Sequence, residues 1–286
     1  MNLTTEDRIL REFILKSLAE DLGDGDHTSL ACIPPDAGGK AKLLIKEKGI
    51  LAGVRVAAEL FSTIDKDFKF EQILEDGASV NPGDIAFYLS GKQQSILKSE
   101  RLVLNIMQRM SGIATSTNRY VTELKGLSAR ILDTRRTTPG FRFLEKEAVR
   151  IGGGINHRMG LFDMILLKDN HIDYAGGIEN SIHKTREYLR NKNLNLKVEI
   201  EARSLKDVRT IISTGGIDRI MLDNFSIEET RKAVKEISGR YETESSGGID
   251  LTNIRAYAEC GVDYVSVGAL THHVKCLDMS LKAIQQ

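Results

Sequence analysis

The chain has 286 residues, 41% of them hydrophobic and 28% charged, and its 40 basic residues balance 40 acidic ones. This describes a soluble globular protein with ample core, and zero net charge gives no reason to expect a nucleic-acid or membrane-surface partner. Cys32, Cys260 and Cys276 are too few and too scattered for a disulfide framework, and no CxxC spacing suggests a metal or redox site. The opening MNLTTEDRIL has neither a basic n-region nor an apolar h-region, and no apolar run is long enough to span a bilayer, so a cytoplasmic protein is expected.

Residues 5–22 carry Ile9, Leu10, Phe13, Ile14 and Leu18 at helical spacing, with Gly23 as the expected stop. EDLGDGDHTS (20–29), crowded with Asp and Gly, reads as a loop of Asx turns. KAKLLIK (40–46) reads as a strand, VAAELFSTI (56–64) as a helix and FKFEQIL (68–74) as a strand. ASVNPGDIAFYLSG (78–91) reads as strand, Pro-Gly turn, strand. Without a clear βα rhythm these predict a compact N-terminal α+β domain over 1–110. From Gln94 to about Met110 the pattern is helical, with Arg101 on what reads as the solvated face. A domain boundary is placed near Ser111, and a C-terminal helix over about 275–286 is expected to pack with the first domain.

A βα rhythm then sets in. ARILD (129–133), DMILLK (163–168), KVEIEA (197–202), DRIML (218–222), RYETES (240–245) and VDYVSVG (262–268) read as six strands separated by helical patterns. Right-handed βα units close naturally into a parallel barrel, so 111–274 is expected to form an incomplete, six-stranded one, with a flavodoxin-like sheet as the alternative.

The strands stop at polar or Gly residues: Asp133-Thr134-Arg135, Lys168-Asp169-Asn170, Glu201, Asp223-Asn224, Ser245 to Gly248, and Gly268. In parallel α/β folds those ends share one face, where sites form. Lys168 and Glu201 lie in otherwise apolar runs, where an unpaired charge costs several kcal/mol by order of magnitude; mutual ion pairing is the structural alternative to a polar cleft. Arg135, Arg136 and Arg158 offer planar forks for carboxylates or phosphates. Glu201 and Asp223 offer hard oxygens for Mg²⁺ or sugar hydroxyls. SSGGI (245–249), read as opening a helix, and SVGAL (266–270) offer backbone N–H groups for a phosphate. Together they imply a sugar phosphate carrying a second anion. Lys168 also admits a Schiff-base reading, against which the density of surrounding charges favours a purely electrostatic role. His157 and His171 read as orienting groups rather than general bases, and no histidine spacing suggests zinc.

These motifs, in this order, resemble the quinolinate phosphoribosyltransferases. The likeness runs through EDLGDGDHTS, ERLVLNIMQRMSGIAT, the long run from Ile131 to Ile172, VEIEA, MLDNFS, ESSGGI and YVSVGALTH. It implies an N-terminal α/β sandwich domain followed by an incomplete α/β barrel. It implies a homodimer or larger oligomer, one subunit's N-terminal domain capping the other's barrel. It implies the joining of quinolinate to 5-phosphoribosyl-1-pyrophosphate with Mg²⁺ as cofactor, yielding nicotinate mononucleotide, CO₂ and pyrophosphate.

By the same resemblance Arg135, with Thr134 beside it, His157 and Arg158 hold the two quinolinate carboxylates, and Arg101 reaches that pocket from the neighbouring subunit. Lys168 lies between quinolinate and the phosphoribosyl group. Glu201 and Asp223 serve the ribose hydroxyls and Mg²⁺, with Glu199, on the same side of its strand, as the alternative to Glu201. Ser246, Gly247, Gly248 and Gly268, with Ala269 and His272, match the 5-phosphate site. Arg136 departs from the family's usual Lys; its broader fork meets a pyrophosphate differently. The sequence offers no candidate base for the decarboxylation. The rival readings are a phosphoribosyltransferase for nicotinate or another pyridine, the related barrel protein associated with molybdate transport, and a non-catalytic anion-binding protein on a degenerate barrel.

Overall fold

The structure, a computed structural model, describes residues 5–285. The chain forms two compact units, one from residues up to Ser116 with Pro139–Gly152 and the segment from Val274, the other from Thr117–Thr138 and Gly153–His273.

In the first unit, helix α1 (Thr5–Leu22) buries Leu10, Ile14 and Leu18, the i, i+4, i+8 stripe of its apolar pattern, and Gly23 follows at φ 53°. The EDLGDGDHTS segment is not wholly loop: Asp26 Oδ1 accepts the Ser29 N–H at 3.1 Å and caps a short helix, α2 (His27–Cys32). Strands β1 (Gly38–Ile45) and β2 (Gly49–Ile50) precede helix α3 (Val54–Ile64), followed by β3 (Lys69–Gln72), β4 (Ser79–Val80) and β5 (Ile85–Lys92). Helix α4 (Gln93–Glu123) extends well past Met110. Gly112 does not break it, because the Lys275 carbonyl packs where a Cβ would stand. After strand β6 (Arg130–Leu132), helix α5 (Arg142–Ile151) belongs to the first unit. Its fully buried Glu145 accepts Arg109 Nη2 of α4 at 2.6 Å.

The expected C-terminal helix is instead a strand, β12 (Met279–Ala283), the last strand of the chain. MSLKA buries Met279 and Leu281 at period two, and antiparallel pairing sets Leu281 opposite Leu43 and Met279 opposite Ile45. Pairing supplies ladder partners that so short a helix would lack. The resulting antiparallel sheet has the order β12-β1-β5-β3. Phe61 of α3 packs against Phe87 and Phe70 of that sheet at ring distances of 5.7 and 5.9 Å.

The second unit carries the six expected parallel strands: β6, β7 (Ile165–Leu167), β8 (Val198–Ala202), β9 (Arg219–Asp223), β10 (Glu242–Ser246) and β11 (Tyr264–Ser266). Helices α6 (Asp169–Ala175), α7 (Ile178–Lys192), α8 (Leu205–Thr214), α9 (Ile227–Ile237), α10 (Ile254–Ala258) and α11 (Ala269–His272) alternate with them. Caps fix their starts: Ser204 accepts the Asp207 N–H, and Ser226 forms a capping box with Glu229. The spatial order β6-β11-β10-β9-β8-β7 is cyclic, the first strand pairing with the last, which is the order of a barrel and not of a flavodoxin-like sheet. The barrel lacks a ladder between β6 and β7; at that edge a single parallel bridge joins Leu132 of β6 to Ile155, in the segment ahead of β7.

Candidate active site

Residues at the carboxyl ends of all six strands line one cavity of about 760 Å³ within the second unit. Thr134, Arg135 and Arg136 follow β6, Lys168 follows β7, and Glu201 and Asp223 end β8 and β9. Ser246, Gly247 and Gly248 come from the end of β10, and Gly268, Ala269 and His272 from the turn after β11. Residues from six separated segments thus meet at one mouth, and His157 and Arg158 join them. Arg101 does not line it: it is exposed on α4, in the first unit.

The dicationic wall is built by the loop before β7. The buried Asp133 carboxylate accepts the His157 N–H at 2.9 Å, fixing the loop to the end of β6. His157 Nδ1 accepts the Arg158 N–H at 2.7 Å, so the imidazole carries its proton on Nε2 when neutral. Nε2 lies 2.9 Å from Glu199 Oε2 and 3.5 Å from Glu244 Oε2. Arg158 is 9% exposed, donates to the Met164 carbonyl at 3.1 Å and forms no ion pair among the described residues. Burial, and then Arg135, push its guanidinium pKa down. Arg135 and Arg158 line the same cavity and repel each other, which makes their wall a seat for an anion.

The opposite wall is acidic. Lys168 Nζ donates to Glu201 Oε1 at 2.6 Å, and the Asp169 N–H donates to the other oxygen at 2.9 Å. The ion pair that the sequence left as a structural alternative therefore exists, and it lies inside the cavity wall. His171 Nδ1 accepts the Lys168 N–H at 3.0 Å, an orienting role. Burial, and then the Glu201 charge, hold Asp223 above the usual carboxylate range.

The phosphate end differs in form from its sequence reading. No helix opens at SSGGI; α10 begins only at Ile254, after a turn in which Asp250 accepts the Thr252 N–H at 2.8 Å. Gly247 sits at φ 94°, and Asn224 Oδ1 occupies the place of its absent Cβ, so the backbone itself forms the cavity wall there. Burial, His273 and Arg136 lower the His272 pKa.

Sequence reasoning missed Glu244 and Ser266, both buried and both lining the cavity. The signal lay in ETESS: an acid flanked by small residues in a strand paired with parallel neighbours on both edges.

An incomplete parallel barrel with such a mouth defines an enzyme for a small polyanionic substrate, and comparison narrows the class. Residues 26–111 match the quinolinate phosphoribosyl transferase N-terminal domain and residues 113–282 its C-terminal domain. The chloroplastic carboxylating nicotinate-nucleotide pyrophosphorylase of Arabidopsis thaliana is 45% identical over 96% of this chain and 82% of its own. A probable enzyme of the same name from Bacillus subtilis is 41% identical over 98% of this chain and 94% of its own. The crystal structure of NadC from Streptococcus pyogenes superimposes with a TM-score of 0.92 at 38% identity, over 99% of this chain and 98% of that one. The chain belongs to the quinolinate phosphoribosyl transferase family.

Proposed function

We propose that this chain transfers the phosphoribosyl group of 5-phosphoribosyl-1-pyrophosphate to quinolinate, forming nicotinate mononucleotide, CO₂ and pyrophosphate, as an enzyme of NAD synthesis. The observation that carries it is a single cavity with Arg135, His157 and the buried Arg158 on one wall and a Lys168–Glu201–Asp223 array on the other, in a chain of this family.

In this reading Arg135, His157 and Arg158 grip the quinolinate carboxylates, with Thr134 beside them, and aim the ring nitrogen at the sugar. The turn from Ser246 to Gly248, with Gly268, Ala269 and His272, receives the 5-phosphate. Glu201 and Asp223 hold the ribose and favour the positive charge that develops at its C1 as pyrophosphate departs. Lys168 offsets the departing charge, and Arg136 faces the same group. The ring nitrogen then bonds C1; no covalent enzyme intermediate is required, and positioning supplies much of the rate.

The acids also fit a hard divalent ion: burial and then the neighbouring Glu201 charge raise Asp223, and a cation beside the pair would relieve the second of these. Mg²⁺ would be held by Glu201 and Asp223, directly or through water, and would neutralise pyrophosphate charge. For Arg101, exposed on α4, we propose a place in the neighbouring subunit's site, in a homodimer or larger assembly. Among the described residues no helix is long and apolar enough to cross a membrane.

The test is incubation with quinolinate and 5-phosphoribosyl-1-pyrophosphate. CO₂ should appear in step with nucleotide; nucleotide formed from nicotinate with no quinolinate turnover would favour the rival pyridine enzyme.

A further inference from the structure

Beneath the carboxylate clamp lies a buried polar cluster that the reaction as described leaves unused. Glu199 of β8, Arg219 of β9 and Glu244 of β10 are 0%, 8% and 0% exposed. Arg219 Nη1 lies 3.2 Å from Glu244 Oε2, and its Nη2 lies 3.1 Å from Glu242 Oε2. The guanidinium also stacks on the Tyr264 ring at 4.1 Å. One arginine therefore faces Glu199, Glu242 and Glu244 together, with His157 Nε2 beside Glu199 and Glu244. Glu242 also meets Lys197 Nζ at 3.7 Å, so the two fully buried acids, Glu199 and Glu244, are left to share Arg219 and His157, and a proton held on one of them relieves their mutual repulsion.

Position selects the carboxyl that keeps it. Glu244 lines the cavity, whereas Glu199 does not. Glu244 Oε2 is turned toward Arg219 and His157, and Oε1, fully buried, makes no hydrogen bond. Glu199 and Ser266 adjoin its carboxyl, but of the two fully buried acids only Glu244 borders the cavity, so a proton held there stands at the floor of the site.

We propose that Glu244 is a catalytic acid, giving its proton to the quinolinate ring carbon that loses CO₂. This rests on the function proposed above. Once the ring nitrogen is bonded to ribose, the bond from C2 to its carboxylate breaks and CO₂ leaves. The electron pair stays on C2, stabilised by the adjacent N⁺. The Glu244 O–H bond then breaks as the C2–H bond forms, leaving Glu244 a carboxylate beside Arg219 and His157. It regains a proton from water when the product departs. The charged neighbours agree: burial and the Glu199 charge push Glu244 up to about 8, against His157, Ser266 and Arg219, which pull the other way.

The experiment is a quenched single turnover with quinolinate and 5-phosphoribosyl-1-pyrophosphate, in which pyrophosphate and nicotinate mononucleotide are measured in the same samples. Glutamine has the shape and charge of a protonated Glu244 but cannot give up a proton. Glu244→Gln should release pyrophosphate within about threefold of the parent rate and form mononucleotide about 100-fold more slowly, the range of a lost general acid. Mononucleotide formation by the parent should show an alkaline limb, and the variant should lack it. Equal loss of both products, or no loss of either, overturns the proposal. Should the Gln variant not fold, Glu244→Asp, which withdraws the acid by one methylene, should show the same separation of the two steps at about tenfold, and its absence is equally decisive. The parent run alongside keeps the two ideas apart: if it makes no mononucleotide from quinolinate, the function proposed above is what fails.

Discussion

Arg158 and Lys168 represent two kinds of contribution that kinetics can separate. Arg158 is a buried cation with no ion pair among the described residues, so its loss should fall on binding. Arg158→Ala is expected to weaken quinolinate binding by 2–5 kcal/mol by order of magnitude, about 30-fold or more, read as KM or by titration calorimetry. Lys168 already has a carboxylate partner, so its work in the proposed reaction is done as charge departs. Lys168→Ala should lower kcat by about 10²–10³-fold with a smaller change in KM. Glu244 makes a separate prediction for stability. An acid raised from 4.5 to about 8 keeps its proton in the folded chain over a range where the unfolded chain has lost it. Stability should therefore be undiminished on this account below pH 4.5, fall as pH rises toward 8, and level off above. Glu244→Gln should flatten that decline, as seen by following Tm of both proteins between pH 6 and 8.

Among the elements, the strands of the second unit were legible because parallel strands covered on both faces read as short apolar runs ending in turn residues. The charges at their ends were legible for the same reason, since Lys168 and Glu201 interrupt such runs. Glu244 was not, because RYETES alternates like a half-exposed strand until neighbours on both sides are known. MSLKA was misread as helix because five residues fit either period, and only the pairing of Leu281 with Leu43 decides. The placement of Pro139–Gly152 in the first unit had no local signal at all: it depends on contacts such as Arg109 with Glu145, distant in sequence. That pair gives an element-scale test. Arg109→Ala leaves a fully buried carboxylate short of its cation and should cost 3–5 kcal/mol by order of magnitude, measured by denaturant unfolding; a loss under about 1 kcal/mol would show that Glu145 is satisfied without it.

At the scale of the whole molecule, the proposed place of Arg101 in a neighbour's site makes activity a property of the assembly. Arg101→Ala and Lys168→Ala subunits, each nearly inactive alone, should regain activity when mixed, because some sites would then combine two intact halves. Verified mixed oligomers without any recovery would argue for a site complete within one chain. The barrel itself has a further property that follows from its missing ladder. The ring is split between β6 and β7: the one bridge at that edge joins Leu132 of β6 to Ile155, ahead of β7, and no ladder joins the two strands. Arg135 stands on one lip and Lys168 on the other, whereas Glu201 and Asp223 follow strands that are hydrogen-bonded to each other. The guanidinium and the ammonium are thus set on strands that share no hydrogen bond with each other, whereas the two acids that face the ribose in the proposed reaction are set by adjacent, paired strands.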